Sequence, residues 1–112
     1  MLSSESEPQG NAKESLVKAR SGWTFLSNHA HVLVALAGDP SLRVRDLALL
    51  VGITERAVVQ ILNDLETEGY LERERVGRRN VYAVNSAVPL RHALENHRTV
   101  SDIVRLARRH SK

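Results

Sequence analysis

The stretch ITERAVVQILNDLETEGYL, residues 53–71, changes its hydrophobic period partway along. Val58, Ile61, Leu62 and Leu65 recur at i, i+3, i+4 and i+7, one stripe of an amphipathic helix. Thr54 is a good N-cap for that helix and Gly69 a good stop. Some fifteen helical residues would run roughly 22 Å at the standard rise. Beyond Gly69 the period falls to two. Tyr70, Leu71, Arg73, Arg75 and Val76 lead into a turn at Gly77–Asn80, and Val81, Tyr82, Ala83 and Val84 lead back. A glycine followed by charged residues and Asn fits a hairpin tip. A helix that runs straight into a hairpin leaves few architectures for the rest of the chain.

Upstream, NHAHVLVALAGDP predicts a helix capped by Ser27 or Asn28 and ended by Gly38-Asp39-Pro40. Val32, Leu33, Leu36 and Ala37 give it apolar character on more than one side, which implies cover on more than one side and hints at a partner subunit. Leu42 and Val44 predict a very short strand. VRDLALLVG then predicts a two-turn helix closed by Gly52, with Leu47, Ala48 and Val51 inward. Downstream, Pro89 suits the first turn of a helix with Leu90 and Leu94 on one face. Thr99 and Asp102 resemble a capping box for a second C-terminal helix from about Val100, with Val100, Ile103, Val104 and Ala107 as its stripe. Arg105, Arg108, Arg109 and His110 crowd its last turn, where cations suit the helix dipole.

The chain has 112 residues, 42% of them apolar, enough for one modest core. We divide it into a flexible tail over 1–22 with room for a helical turn at ESLVKA, a folded domain over 23–86 and a helical dimerisation extension over 87–112. Trp23, Phe25, Leu33, Leu90, Leu94, Ile103 and Val104 are the candidates for core or dimer interface. No apolar run approaches membrane-spanning length, and the N-terminus lacks an apolar signal core. With no cysteine, disulfides and thiolate metal sites are excluded, and a reducing cytoplasm is the simplest home.

The two middle helices, joined by the tight turn in LLVGITER, make a helix-turn-helix, and the hairpin behind it makes a wing. The fold class expected is therefore α+β and mostly helical: a winged helix-turn-helix with a two-stranded wing and additional terminal helices. An α-helix fits the major groove of B-DNA, where Gln and Asn suit adenine and Arg suits guanine. The face opposite the apolar stripe carries Glu55, Arg56, Val59, Gln60 and Asn63. Thr54, Glu55, Arg56, Gln60 and Asn63 are the groove candidates, Arg45 on the preceding helix is added to them, and Arg78, Arg79 and Asn80 are the wing candidates.

At these residues the chain resembles the winged helix-turn-helix of prokaryotic transcription regulators, the broad group of MarR-like and ArsR-like repressors. The resemblance runs from about Leu26 to Asn85 and is most specific in GIT-x-R-A-V-x-x-I-L-x-D-L-E-x-x-G-Y-L. It implies a DNA-binding transcriptional regulator whose recognition helix, 54–68, enters the major groove of double-stranded DNA. It also implies that the wing, 76–81, touches the backbone or the minor groove.

Each assignment has a plainer alternative. Gln60 and Asn63 also fit an ordinary solvated helix face, and Arg78 and Arg79 a solubilising turn. Glu55 suits helix-dipole chemistry as well as a cytosine contact. Arg73 and Arg75 share one strand face and Glu72 and Glu74 the other, so cross-strand pairing competes with phosphate contact. Asp64, Glu66 and Glu68 would repel phosphate, and are expected to face away or to pair with nearby arginines. Residues 42–85 hold seven cations and seven anions, a balance that also suits a winged-helix protein-interaction module without specific DNA binding. The 86–112 segment, with six cations and two anions, is the basic part of the chain.

His29 and His31 diverge by about 200° on one helix and cannot chelate together. His92, Glu95 and His97 come closer to a ligand pattern, yet on one continuous helix they also diverge. No nucleophile–base constellation, phosphate-binding glycine loop or HExxH motif appears, so neither catalysis nor a cofactor is expected. A homodimer is expected, because the first helix and the C-terminal helices carry more apolar surface than a small three-helix domain needs; two-fold symmetry would also set two recognition helices about one DNA turn, near 34 Å, apart. A small effector between the winged domain and the C-terminal helices would be compatible with this plan.

Overall fold

A computed structural model describes residues 22–108. The tail over 1–22, apart from Gly22, and the cations Arg109 and His110 lie outside the described residues. Four helices and one hairpin follow in order: α1 Asn28–Gly38, α2 Val44–Val51, α3 Glu55–Thr67, β1 Leu71–Val76, β2 Arg79–Val84 and α4 Val100–Ala107. This is a winged helix, mostly helical, with a two-stranded antiparallel sheet. Among the described residues no helix is long and apolar enough to cross a membrane.

The helix ends are made by the residues expected to make them. Ser27 Oγ accepts from Ala30 N–H at 3.2 Å and Thr54 Oγ1 from Ala57 N–H at 3.0 Å. Gly52, at φ +85°, closes α2 and permits the sharp turn into α3. At the other end of α3, Gly69 is again left-handed at φ +85°. Tyr70 N–H reaches Leu65 C=O at 2.8 Å and Gly69 N–H reaches Glu66 C=O at 3.1 Å, the bond pair of a Schellman motif. Tyr70 and Leu65 are both buried, so the same turn that stops the helix plants the first wing strand against the core.

The core gathers Val32, Leu33 and Leu36 from α1, Leu47 and Ala48 from α2, and Val58, Ile61, Leu62 and Leu65 from α3. Tyr70, Leu71, Tyr82 and Val100 complete it. Helix α1 packs against α2, α3, α4 and β2, with Val32, Leu33 and Leu36 buried and Ala37 exposed.

Three local expectations are corrected. Leu42 and Val44 form no strand: Val44 begins α2, and the backbone bond from β2 to this loop runs from Tyr82 N–H to Pro40 C=O at 3.0 Å. The hairpin turn is shorter than Gly77–Asn80. Only Gly77 and Arg78 lie between the strands, and Arg79 and Asn80 already pair with Val76 and Arg75. Finally, Pro89 starts no helix. Pro89 and Thr99 form a β-bridge, Leu90 N–H bonds Arg98 C=O at 2.9 Å, and Val100 N–H bonds Val88 C=O at 3.0 Å. Residues 91–97 turn between these two legs. Proline disfavours the helical conformation for Val88 before it, and the Tyr70 hydroxyl donates to Pro89 C=O at 2.9 Å, holding the leg extended. One C-terminal helix remains, α4, where Thr99 N–H donates to Asp102 Oδ2 at 3.0 Å as the capping pattern predicts.

Candidate nucleic-acid interface

With Val58, Ile61, Leu62 and Leu65 buried, the helical repeat turns the opposite face of α3 to solvent. Glu55, Arg56, Val59, Gln60 and Asn63 are all exposed there. Thr54 sits at the start of the face, but its hydroxyl oxygen is engaged in capping. Among the described residues, no carboxylate lies within ion-pair distance of Arg45, Arg56 or Arg78.

The acids toward the other end of α3 are handled differently. Asp64 Oδ2 lies 2.9 Å from His29 Nε2 on α1, and Glu66 Oε2 lies 3.3 Å from Arg73 Nε on β1. Two of the three carboxylates that would repel phosphate are thus paired inside the chain, one with a histidine rather than an arginine. Glu68 is exposed. Arg73 faces Tyr82 across the sheet, not a glutamate. Burial, and next the nearby Glu66 carboxylate, push the Tyr82 hydroxyl above its ordinary pKa, while the positive charge of Arg73 opposes them. This cluster joins the base of the wing to the end of α3.

The wing separates two arginines that are neighbours in sequence. Arg78 is the second residue of the two-residue turn, after Gly77 at φ +63°. Arg79 opens β2, and its guanidinium donates to the Ser41 carbonyl in the loop between α1 and α2. Asn80 lies opposite Arg75. Thus Arg78 stands at the tip, whereas Arg79 and Asn80 lie on the strand. Arg45 is exposed in the first turn of α2, just after the loop from α1.

Val59 is a residue that the sequence noted on this face without assigning it a role. It is 46% exposed, flanked at i−3 and i+4 by Arg56 and Asn63. An apolar side chain among hydrogen-bonding ones suits a thymine methyl group. The signal available in the sequence was its break from the otherwise polar face.

Leu26, Leu90, Leu94, Ile103 and Leu106 line an open groove of about 1040 Å³, which His29 and the C-terminal end of α3 at Asp64 and Thr67 also line. The Trp23 and Phe25 rings meet edge to face, 4.8 Å between centroids. His92 Nδ1 accepts from Leu94 N–H at 3.0 Å. Among the described residues no three His, Asp or Glu side chains are gathered as metal ligands would be.

A protein-family model, the MarR family, matches residues 23–79, just over half of the chain. The match covers α1, α2, α3 and β1 and ends at the first residue of β2. No curated protein matches the chain.

Proposed function

The chain belongs to the MarR family, and from that premise we propose that it is a DNA-binding transcriptional regulator, acting as a homodimer in a prokaryotic cytoplasm. Helix α3 enters the major groove with Arg56, Gln60 and Asn63 toward base edges, Val59 among them, and Thr54 and Glu55 at the entrance. Arg45 and the wing meet the phosphate backbone or the minor groove, Arg78 at the tip. The observation that carries this reading is the sorting of charge on α3. Its exposed face keeps uncommitted hydrogen-bonding side chains, while Asp64 and Glu66 are tied to His29 and Arg73. Segment 87–108, together with Trp23 and Phe25, supplies the dimer contact, and the groove beside it is where a small effector would enter.

The test is selection from a random duplex library, followed by binding measurements at moderate salt. The expected result is a preferred sequence of two related half-sites about one helical turn apart. No binding below about 100 μM, the weak end of non-specific association, would overturn the proposal. It would favour a protein-interaction module, which the balanced charge of residues 42–85 also suits.

A further inference from the structure

The wing's two arginines are adjacent, equally charged and both exposed, yet only one points its donors back into the fold. The acceptor of Arg79 is the carbonyl of Ser41. That carbonyl does not sit on a loose loop. Asp39 Oδ1 accepts from Ser41 N–H at 3.1 Å and from the Ser41 hydroxyl at 2.9 Å, and Leu42 N–H bonds Asp39 C=O at 3.3 Å. Three residues along β2, Tyr82 N–H donates to Pro40 C=O at 3.0 Å. Strand β2 is therefore joined at two points to the turn that leads into the helix-turn-helix.

Between Tyr82 and the tip, the hairpin has little else to hold it. Residues 72–80 are all exposed, and an isolated two-stranded hairpin is marginal in water. Tyr82 holds the base, and Arg79 is the side-chain tether nearest the turn. We infer that Arg79 is a positioning residue: held on the Ser41 carbonyl, it sets the wing's pose against the helix-turn-helix so that Arg78 alone meets phosphate. This rests on the DNA-binding reading above. Holding the tip in place before binding removes part of the ordering cost of association. It also halves the number of phosphates that the arginine pair neutralises.

A double-mutant cycle read as salt dependence tests this. Affinity for one 20-base-pair duplex is measured from 50 to 200 mM salt for the wild type, Arg78→Ala, Arg79→Ala and the double variant. Each phosphate contact contributes about 0.9 to the slope of log K against log salt, with the slope expressed per bound subunit because the dimer carries two wings. Arg78→Ala should lower the slope by about 0.9, and the double variant should lower it by the same amount. Arg79→Ala should weaken binding when Arg78 is present and do nothing further when it is absent. A double variant whose slope falls by about 1.8 would make Arg79 an independent phosphate contact and overturn the inference.

Hydrogen exchange on the free protein gives a readout without DNA. Amides of Val81 and Tyr82 should exchange faster in Arg79→Ala and Asp39→Ala but not in Arg78→Ala. Unchanged protection in Arg79→Ala would also overturn the inference. A wild type that does not bind duplex at all would instead remove the DNA-binding reading, whatever the exchange shows.

Discussion

The face formed by α3 and the wing and the face formed by Trp23, Phe25, residues 90–98 and α4 leave different chemistry in water. The first exposes mainly polar and charged side chains over a closed core. The second leaves Trp23 75%, Phe25 90%, Leu94 78% and Leu106 74% exposed. Apolar area in water costs roughly 25 cal/mol per Å² relative to burial, and large contiguous apolar patches on a monomer mark interaction sites. Among the described residues the packing beneath α3 is closed, and the apolar side chains of the second face are left exposed. In the proposed homodimer a second copy covers them.

The strongest way to break this contrast is to compare one leucine from each side. Leu36 on α1 is fully buried, and Leu36→Ala should cost about 2–5 kcal/mol in urea unfolding. Leu106→Ala should stay within about 0.5 kcal/mol at protein concentrations low enough to favour the monomer. Its effect should appear instead as weaker self-association in sedimentation. If Leu106→Ala cost as much as Leu36→Ala in the monomer, the second face would be core and the distinction would disappear.

The exposed face of α3 is tested next. Gln60→Ala and Asn63→Ala should each relax preference at particular base pairs by roughly 1–3 kcal/mol, measured on single-substitution variants of the selected duplex. Equal losses on every sequence would reassign both residues to the backbone. Neither variant should alter self-association, since these side chains lie on the other face.

The first face was legible in the sequence because its signals are local. Thr54 caps the helix that it precedes, Gly69 stops the helix that it follows, and the stripe from Val58 to Leu65 names its own buried side. The switch to period two located both wing strands. What was not legible depends on distant partners. Pro89 and Leu94 carried a helical pattern, but pairing with residues 98–100 and the Tyr70 hydroxyl, 19 residues away, drew the segment into an extended leg and turns. Arg78 and Arg79 were indistinguishable until Ser41, 38 residues from Arg79, took one of them. The acids of α3 were expected to face away or to pair with arginines, and Asp64 instead met His29 because α1 packs beside it.

The smallest expected difference between the faces lies in their helix caps. Helix α3 is capped by the Thr54 hydroxyl, which carries no titrating proton in the acid range. Thr54→Ala should cost about 1 kcal/mol, independent of pH. Helix α4 relies on Asp102, whose carboxyl is held below its ordinary pKa chiefly by the Thr99 N–H and then by Arg98 and Arg105, against the opposing effect of desolvation. A carboxyl with a lowered folded pKa contributes stability above its unfolded pKa of about 3.9 and loses it as pH falls through the folded value. Protection of the α4 amides should therefore decline at the acid end of a titration from pH 6 to pH 2. Asp102→Asn should lack that decline, and the first turn of α3 should keep its protection while the global fold persists. An α4 that loses protection equally in wild type and Asp102→Asn would mean that acid reaches it through another carboxylate, and the two caps would not differ in kind.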